Sequence, residues 1–325
     1  MSQITILGAG VMGLAIASEL VDRGLRPQIV DPSGGPGPHG CSWWAGGMLA
    51  PHCESESAEP VVVRLGLDAA EWWAAHGAHI TRRGTLVLAT SRDRAELDRF
   101  ARMTSAHRSV SGAEIAALEP DLGDRLPRGL FYETESHLSP RQALGTMRDR
   151  LAAQGVQIRP EGTPQGLTVD ARGLAARDAL SDLRGVRGEM MVIRCPEVTL
   201  TRTIRLLHPR IPIYLVPRGD GIYMLGATML ETGAKSHVTA RSAVELLSAA
   251  YALHPGFAEA EILELGADAR PAFPDNLPRL RRRGNTLYAN GLYRHGYLLA
   301  PAVARMAADY LTKGQKPEFM DEDHP

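Results

Sequence analysis

The sequence predicts an α/β fold: a Rossmann-like dinucleotide-binding domain interrupted by a β-rich second domain, so that both domains are discontinuous in the chain. Three observations carry this prediction. A glycine-rich strand–turn–helix opens the chain, the pattern turns β-rich near residue 186, and an α/β pattern returns before the C-terminus. At 325 residues the chain is long enough for two structural domains.

The opening unit comes first. Ser2–Leu7 is a short apolar run, followed at once by Gly8-Ala9-Gly10-Val11-Met12-Gly13. Leu14, Ile16, Ala17, Leu20 and Val21 then recur at helical spacing up to Gly24, and a second short strand, Pro27–Val30, ends on Asp31. This is Gly-x-Gly-x-x-Gly in the setting it requires. Gly8 permits the tight turn, Gly10 lets the backbone approach a pyrophosphate, and Gly13 allows close helix–strand packing. The N-terminal N–H groups of the helix, starting at Val11 and Met12, face the phosphate charge. Asp31, eighteen residues past Gly13, stands where an acid accepts hydrogen bonds from a ribose hydroxyl pair. The alternative is a Gly-rich turn in some other α/β unit; the context and the acid favour binding of an adenine dinucleotide.

Pro32–Pro38 is a Gly/Pro loop. In Gly40–Pro51, six of twelve residues are Gly, Ala or Ser, which lets backbone N–H groups crowd a flat ring or a phosphate, or lets two helices touch. Helical patterns follow over Val61–Ala75, with Trp72 and Trp73 as packing residues, and over Arg92–Ser105 and Ser111–Leu118, the last with a Ser111/Glu114 capping box. Thr85–Ala89 and Phe131–Leu138 read as strands, Arg141–Gln154 as a helix, and Gln157–Arg159 and Gly166–Asp170 as short strands. The β-rich region supplies Glu189–Arg194, Ile213–Pro217 and Gly221–Leu225, then a helix over Thr239–Tyr251 and a strand over Ile262–Ala267. Thr286–Ala289 and a helix over Pro301–Leu311 close the chain. This order assigns 1–65, 135–185 and 255–325 to the dinucleotide-binding domain, and 66–134 and 186–254 to a substrate-binding domain.

Composition narrows the function classes. A net charge of −1 disfavours nucleic acid or an anionic membrane as partner. The lysines are Lys235, Lys313 and Lys316, two of them in the C-terminal tail, which leaves little for a Schiff base. Cys41, Cys53 and Cys195 are too irregularly spaced for a disulfide framework or a metal site. The first strand begins where a secretory signal would stand, and no apolar run approaches the roughly 20 residues of a membrane span. A cytoplasmic protein with reduced thiols is expected, and no metal.

Four further segments carry a resemblance that spans nearly the whole chain. They are Trp43–Pro51; Tyr214-Leu215-Val216-Pro217-Arg218 with Gly226-Ala227-Thr228-Met229; Ala269-Arg270-Pro271 with Pro274-Asp275; and Gly291-Leu292-Tyr293-Arg294-His295-Gly296-Tyr297-Leu298-Leu299-Ala300-Pro301. With the opening glycines, they resemble the D-amino-acid-oxidase-like flavoproteins, and within them the glycine oxidases of the thiamine-thiazole pathway (ThiO type). The opening glycines are shared by all two-dinucleotide-binding-domain flavoproteins, while the last segment is the most distinctive.

The resemblance implies FAD. It places Cys41, Ser42, Ala45, Gly46, Gly47 and Met48 beside the flavin ring, and Gly291 and Arg294–Leu298 at its pyrimidine edge. It implies that Arg270 grips the substrate carboxylate, where a guanidinium can bind bidentately. Read by itself, Arg270 is an ordinary surface arginine. Tyr214 is implied to turn its hydroxyl into the substrate pocket, with Met229 lining it and Arg294 as a second pocket arginine; a core aromatic and plain packing are the alternatives for the first two. Related sarcosine and dimethylglycine dehydrogenases attach flavin to a histidine that follows the loop tryptophan. Trp44 fills that place here, which implies non-covalent FAD. The chain is also shorter than is usual for the family.

The function expected is oxidation of glycine, and of other small amines, to the imine or glyoxylate, with O2 reduced to hydrogen peroxide and a possible hand-over to thiazole synthase. Direct transfer of the α-hydride needs no Ser-His-Asp or Cys-His pairing, and no base is named by the sequence. A homo-oligomer is expected. The rival readings are a D-amino-acid or sarcosine oxidase or dehydrogenase of the same fold, and a non-catalytic NAD-binding protein.

Overall fold

The computed structural model describes residues 3–123, 125–234 and 237–321. Ser2 and Lys235 lie outside them. Among the described residues three sheets form. The first has the order Met320–Asp321, Arg279–Arg283, Thr286–Asn290, Leu167–Asp170, Ile4–Leu7, Gln28–Val30, Ile158–Arg159. Its central strands run parallel, with Ile6 opposite both Ile29 and Val169. Ile4–Leu7 is nearly continuous in apolar residues because both faces are covered. The first helix, Val11–Asp22, and the C-terminal helix, Gly296–Lys313, pack together on this sheet. Leu14, Ile16 and Leu20 are fully buried there, each worth about 1.5–3 kcal/mol.

The second sheet has eight strands, in the order Glu261–Ala272, Arg184–Arg194, Ile222–Gly226, Ile213–Gly219, Thr203–Leu207, Thr85–Ala89, Arg128–Tyr132, Arg108–Ser111. It is antiparallel apart from the Thr203–Leu207/Thr85–Ala89 pair. The helix Ala240–Leu253 covers one face, capped by the Thr239 hydroxyl, which accepts from Ser242 N at 3.2 Å. A small third sheet joins Met48–Leu49, Ser136–Leu138 and Ile80–Thr81, and so anchors the small-residue loop.

Several expectations are corrected. The predicted helix over 61–75 is two, Pro60–Gly66 and Ala69–Ala75; Gly66 lies against the C-terminal helix, where a Cβ would stand 2.7 Å from the Leu298 side chain. Trp72 and Trp73 are buried in the first sheet's core, so the second of these helices leaves the predicted substrate domain. The predicted strand 131–138 breaks at a turn and serves two sheets, as Arg128–Tyr132 and Ser136–Leu138. Ile262–Ala267 extends to Glu261–Ala272 and pairs along its length with Arg184–Arg194, so this segment belongs to the second sheet and not to the dinucleotide-binding portion. Pro271 is accommodated because the strand is at the sheet edge. The last helix begins at Gly296, ahead of Pro301. Proline has no N–H for the Tyr297 carbonyl, and the Trp73 indole donates to that oxygen instead, at 2.8 Å. No helix of the described residues is long and apolar enough to cross a membrane.

Candidate active site

A cavity of about 1020 Å3 runs from the first helix's N-terminus, along the small-residue loop, to the edge strand of the second sheet. That is at the upper end of the roughly 300–1,000 Å3 typical of cofactor and ligand sites. One end is backbone. Gly8 has φ +95°, and a Cβ on Gly13 would stand 1.9 Å from the Gly8 carbonyl oxygen. The helix therefore starts hard against the turn, and Gly8, Gly10, Val11 and Met12 line the cavity. Asp31 holds the turn from below: one carboxylate oxygen accepts from Ala9 N at 2.7 Å and the other from Ser33 N at 2.9 Å. Ser42 Oγ accepts from Val11 N at 3.1 Å, tying the second glycine-rich segment to the first.

The wall is the small-residue loop, with Cys41, Ser42, Ala45, Gly46, Gly47 and Met48 all facing the cavity. Behind it there is no room. A Cβ on Gly46 would lie 2.8 Å from the Tyr214 ring, and one on Gly47 (φ +73°) 2.3 Å from the Leu138 oxygen. Arg218 clamps the loop, donating to Gly46 O at 2.6 Å and Leu138 O at 3.2 Å. Burial pushes its guanidinium down to about 10, still charged at neutral pH. The Trp44 indole donates to Pro38 O at 2.9 Å, and its ring covers Gly266, so this position presents packing and no attachment point. Tyr297, buried, donates to Ser42 O at 2.9 Å from the opposite side. Arg294, His295, Gly296, Tyr297 and Leu298 complete that side, and His295 Nδ1 is buried without a hydrogen-bond partner among the described residues. Gly13 and Gly291 do not line the cavity. They act one layer back: Gly291 (φ +81°) lets the turn pass the Phe273 ring, which a Cβ would meet at 2.2 Å. A bare backbone wall and a helix N-terminus fit FAD, and Gly10–Met12 and Gly46–Met48 are the residues that would hold its pyrophosphate and its ring system.

At the far end side chains take over. Arg270 lies over Gly188, where a Cβ would sit 2.2 Å from its Nη2. Among the described residues its one acceptor is Thr228 O, at 3.4 Å, and none of their carboxylates pairs with it. Tyr214 faces the cavity between Gly46 and Gly226. Burial raises its hydroxyl above the ordinary value against the pull of Arg270 and Arg218, so it stays protonated and can donate. Met229 is exposed to the cavity, its sulfur 3.6 Å from the Tyr293 hydroxyl and 3.8 Å from Arg294 Nη1.

The sequence did not single out Glu54, Arg205 or Glu135. Glu54, on the one-turn helix Pro51–Glu54, is buried and pairs with Arg294 at 3.0 Å, His295 at 2.9 Å and Arg205 at 3.3 Å. Burial opposes its charge, but Arg294 and Arg205 hold its carboxyl well below the usual range. Glu135 accepts from Cys53 N at 2.7 Å, and burial pushes it up to about 7. Burial also pushes the Cys53 thiol well up, which leaves it inert, and drives His137 down to about 3.

The chain matches the family described as FAD dependent oxidoreductase (DAO) over residues 3–310. It is 50% identical over 323 residues to a putative thiamine biosynthesis oxidoreductase ThiO of Rhizobium etli, covering 97% of this chain and 98% of that one. It is 26% identical to a bifunctional protein ThiO/ThiG of Trichormus variabilis, across 99% of this chain and 54% of that longer protein. Its fold superposes on the crystal structure of glycine oxidase from Geobacillus kaustophilus with a TM-score of 0.81 at 22% identity, covering 98% and 96% of the two chains. With a family match over most of its length, a half-identical relative and a cavity shaped for FAD, this chain belongs to the DAO family of FAD-dependent oxidoreductases.

Proposed function

We propose that this chain oxidises glycine, and less efficiently other small amines bearing one carboxylate, to the imine, in service of thiamine thiazole synthesis. The observation that carries this reading is Arg270: a guanidinium on a rigid strand, facing the cavity, with one weak carbonyl contact and no anionic partner among the described residues. A small carboxylate can complete it with charge-assisted hydrogen bonds worth about 1.5–3 kcal/mol. Tyr214 then offers its hydroxyl as a second donor, and Met229 limits the room beyond the α-carbon. FAD, when bound, supplies the two-electron acceptor that O2 restores with formation of hydrogen peroxide. Arg270 and Tyr214 contribute orientation only; neither accepts a proton from the amine.

The packing of Trp44 supports FAD held non-covalently, so acid precipitation should leave all the yellow colour in the supernatant. Colour in the pellet would show a covalent link. The ThiO/ThiG fusion of another bacterium supports delivery of the imine to a thiazole-forming partner before it hydrolyses to glyoxylate and ammonia. Anaerobic mixing of the purified holoprotein with glycine tests the reading: the visible flavin band should bleach, with glyoxylate formed in proportion to the flavin reduced. A band unchanged by glycine, sarcosine and D-alanine alike would refute it.

A further inference from the structure

Among the guanidinium groups that line the cavity, Arg205, Arg270 and Arg294 are partnered unequally. Among the described residues Arg270 keeps a single carbonyl contact. Arg205 and Arg294 converge on one carboxylate. Glu54 Oε2 lies 3.0 Å from Arg294 Nε and 2.9 Å from His295 Nε2, and Glu54 Oε1 lies 3.3 Å from Arg205 Nη1. Glu54 is 6% exposed, and what it exposes lines the same cavity. Its helix follows the small-residue loop directly and is pinned where Cys53 N donates to Glu135. A fixed carboxylate between two guanidinium groups, within reach of the substrate space, stands where a second substrate carboxylate would otherwise be held.

We propose that Glu54 is a specificity-determining positioning residue: its carboxylate fills the Arg205–Arg294 half of the pocket, leaving Arg270 alone to receive an external carboxylate and confining the enzyme to monocarboxylic amines. This deepens the reading of Arg270 given above and rests on it. A second carboxylate entering the pocket has to displace Glu54 or lie beside it as a like charge, and both are unfavourable in a poorly solvated space. Replacing Glu54 by its neutral isostere leaves Arg205 and Arg294 without their shared anion. Uncompensated buried cations are costly, so the variant pocket gains a drive to take a second carboxylate from solution.

Acetate and malonate are suitable probes, since neither is an amine and both can be titrated against the absorbance of the flavin in the holoprotein. In the wild type, malonate should bind no more tightly than acetate. In Glu54→Gln the malonate-to-acetate affinity ratio should rise at least ten-fold, and Arg294→Met in that background should abolish the gain. Glu54→Asp, which keeps the charge, should keep the wild-type preference. A purely structural role for Glu54 would weaken both probes together and leave the ratio unchanged, which overturns the proposal. Should Glu54→Gln fail to fold, the wild type decides alone: malonate binding more than ten-fold tighter than acetate would show the Arg205–Arg294 half to be open. Failure of the Arg270 reading is seen separately, as acetate affinity indifferent to Arg270→Met.

Discussion

The two ends of the cavity are built in different ways. The dinucleotide end is mostly backbone, its turn and helix start supplied by Gly8–Met12 and braced by Asp31 and Ser42, and it is shaped by what its glycines lack. The substrate end is side chain: Glu54, Arg205, Tyr214, Arg270 and Arg294 arrive from a one-turn helix, three strands of one sheet and a turn of the other domain. At the first end specificity comes from close approach and is intolerant of any added atom. At the second it comes from charge, and depends on which guanidinium is already paired.

That contrast can be broken most forcefully at the glycines. Gly13→Val puts atoms into the Gly8 carbonyl, 1.9 Å from the first new carbon, and should cost about 3 kcal/mol or more, so that little soluble holoprotein is recovered. Gly10→Val meets only Ser42 Oγ, at 3.3 Å, and its backbone is extended with φ −75°. It should fold and yet lose most of its flavin, which absorbance per mole of protein measures. Equal flavin content in Gly10→Val and the wild type would remove the pyrophosphate from this turn.

A smaller effect is expected behind the substrate end. Burial raises Glu135 to about 7 in the folded protein, above its ordinary carboxyl value. The folded state then binds the extra proton, so this group's contribution to stability is full below the unfolded value and falls as pH rises toward 7. Glu135→Gln removes that loss. Its melting temperature relative to the wild type should climb between pH 5 and pH 8, and a difference independent of pH would contradict the assignment. Smallest is Trp73→Phe, which strips the donor from the Tyr297 carbonyl left open by Pro301. It should lower stability by about 1–3 kcal/mol in denaturant unfolding, the cost of an unsatisfied buried carbonyl.

The same contrast explains what could be read from the sequence. Gly8–Asp31 was legible because its function lies in neighbours along the chain. Ser111 and Glu114 were legible for the same reason, and form the expected capping box. Arg279–Arg283 escaped because four arginines conceal a strand whose charges are met from outside it: Arg281 by Asp182 at 2.8 and 2.9 Å. Glu54 escaped more completely. A glutamate in a short segment after a proline reads as solvated, and only the meeting of Arg205, Arg294 and His295 around it makes it part of the pocket. Arg294, expected as a second pocket arginine, has its charge paired with Glu54, a partner that no spacing along the chain announces. The domain limits shifted because no local signal tells which sheet a strand such as Glu261–Ala272 will join.

The central claim is that Arg270 is the guanidinium left open for the substrate. Steady-state kinetics of Arg270→Met on glycine, with the flavin spectrum as a control for the fold, test it most directly. The account predicts an intact flavin spectrum and a kcat/KM lower by roughly two orders of magnitude, the ~3 kcal/mol of a lost charged hydrogen-bond pair, with only partial recovery in Arg270→Lys because a point charge cannot reproduce the bidentate fork. Near-normal efficiency in Arg270→Met would contradict it and pass the anchor to Arg294.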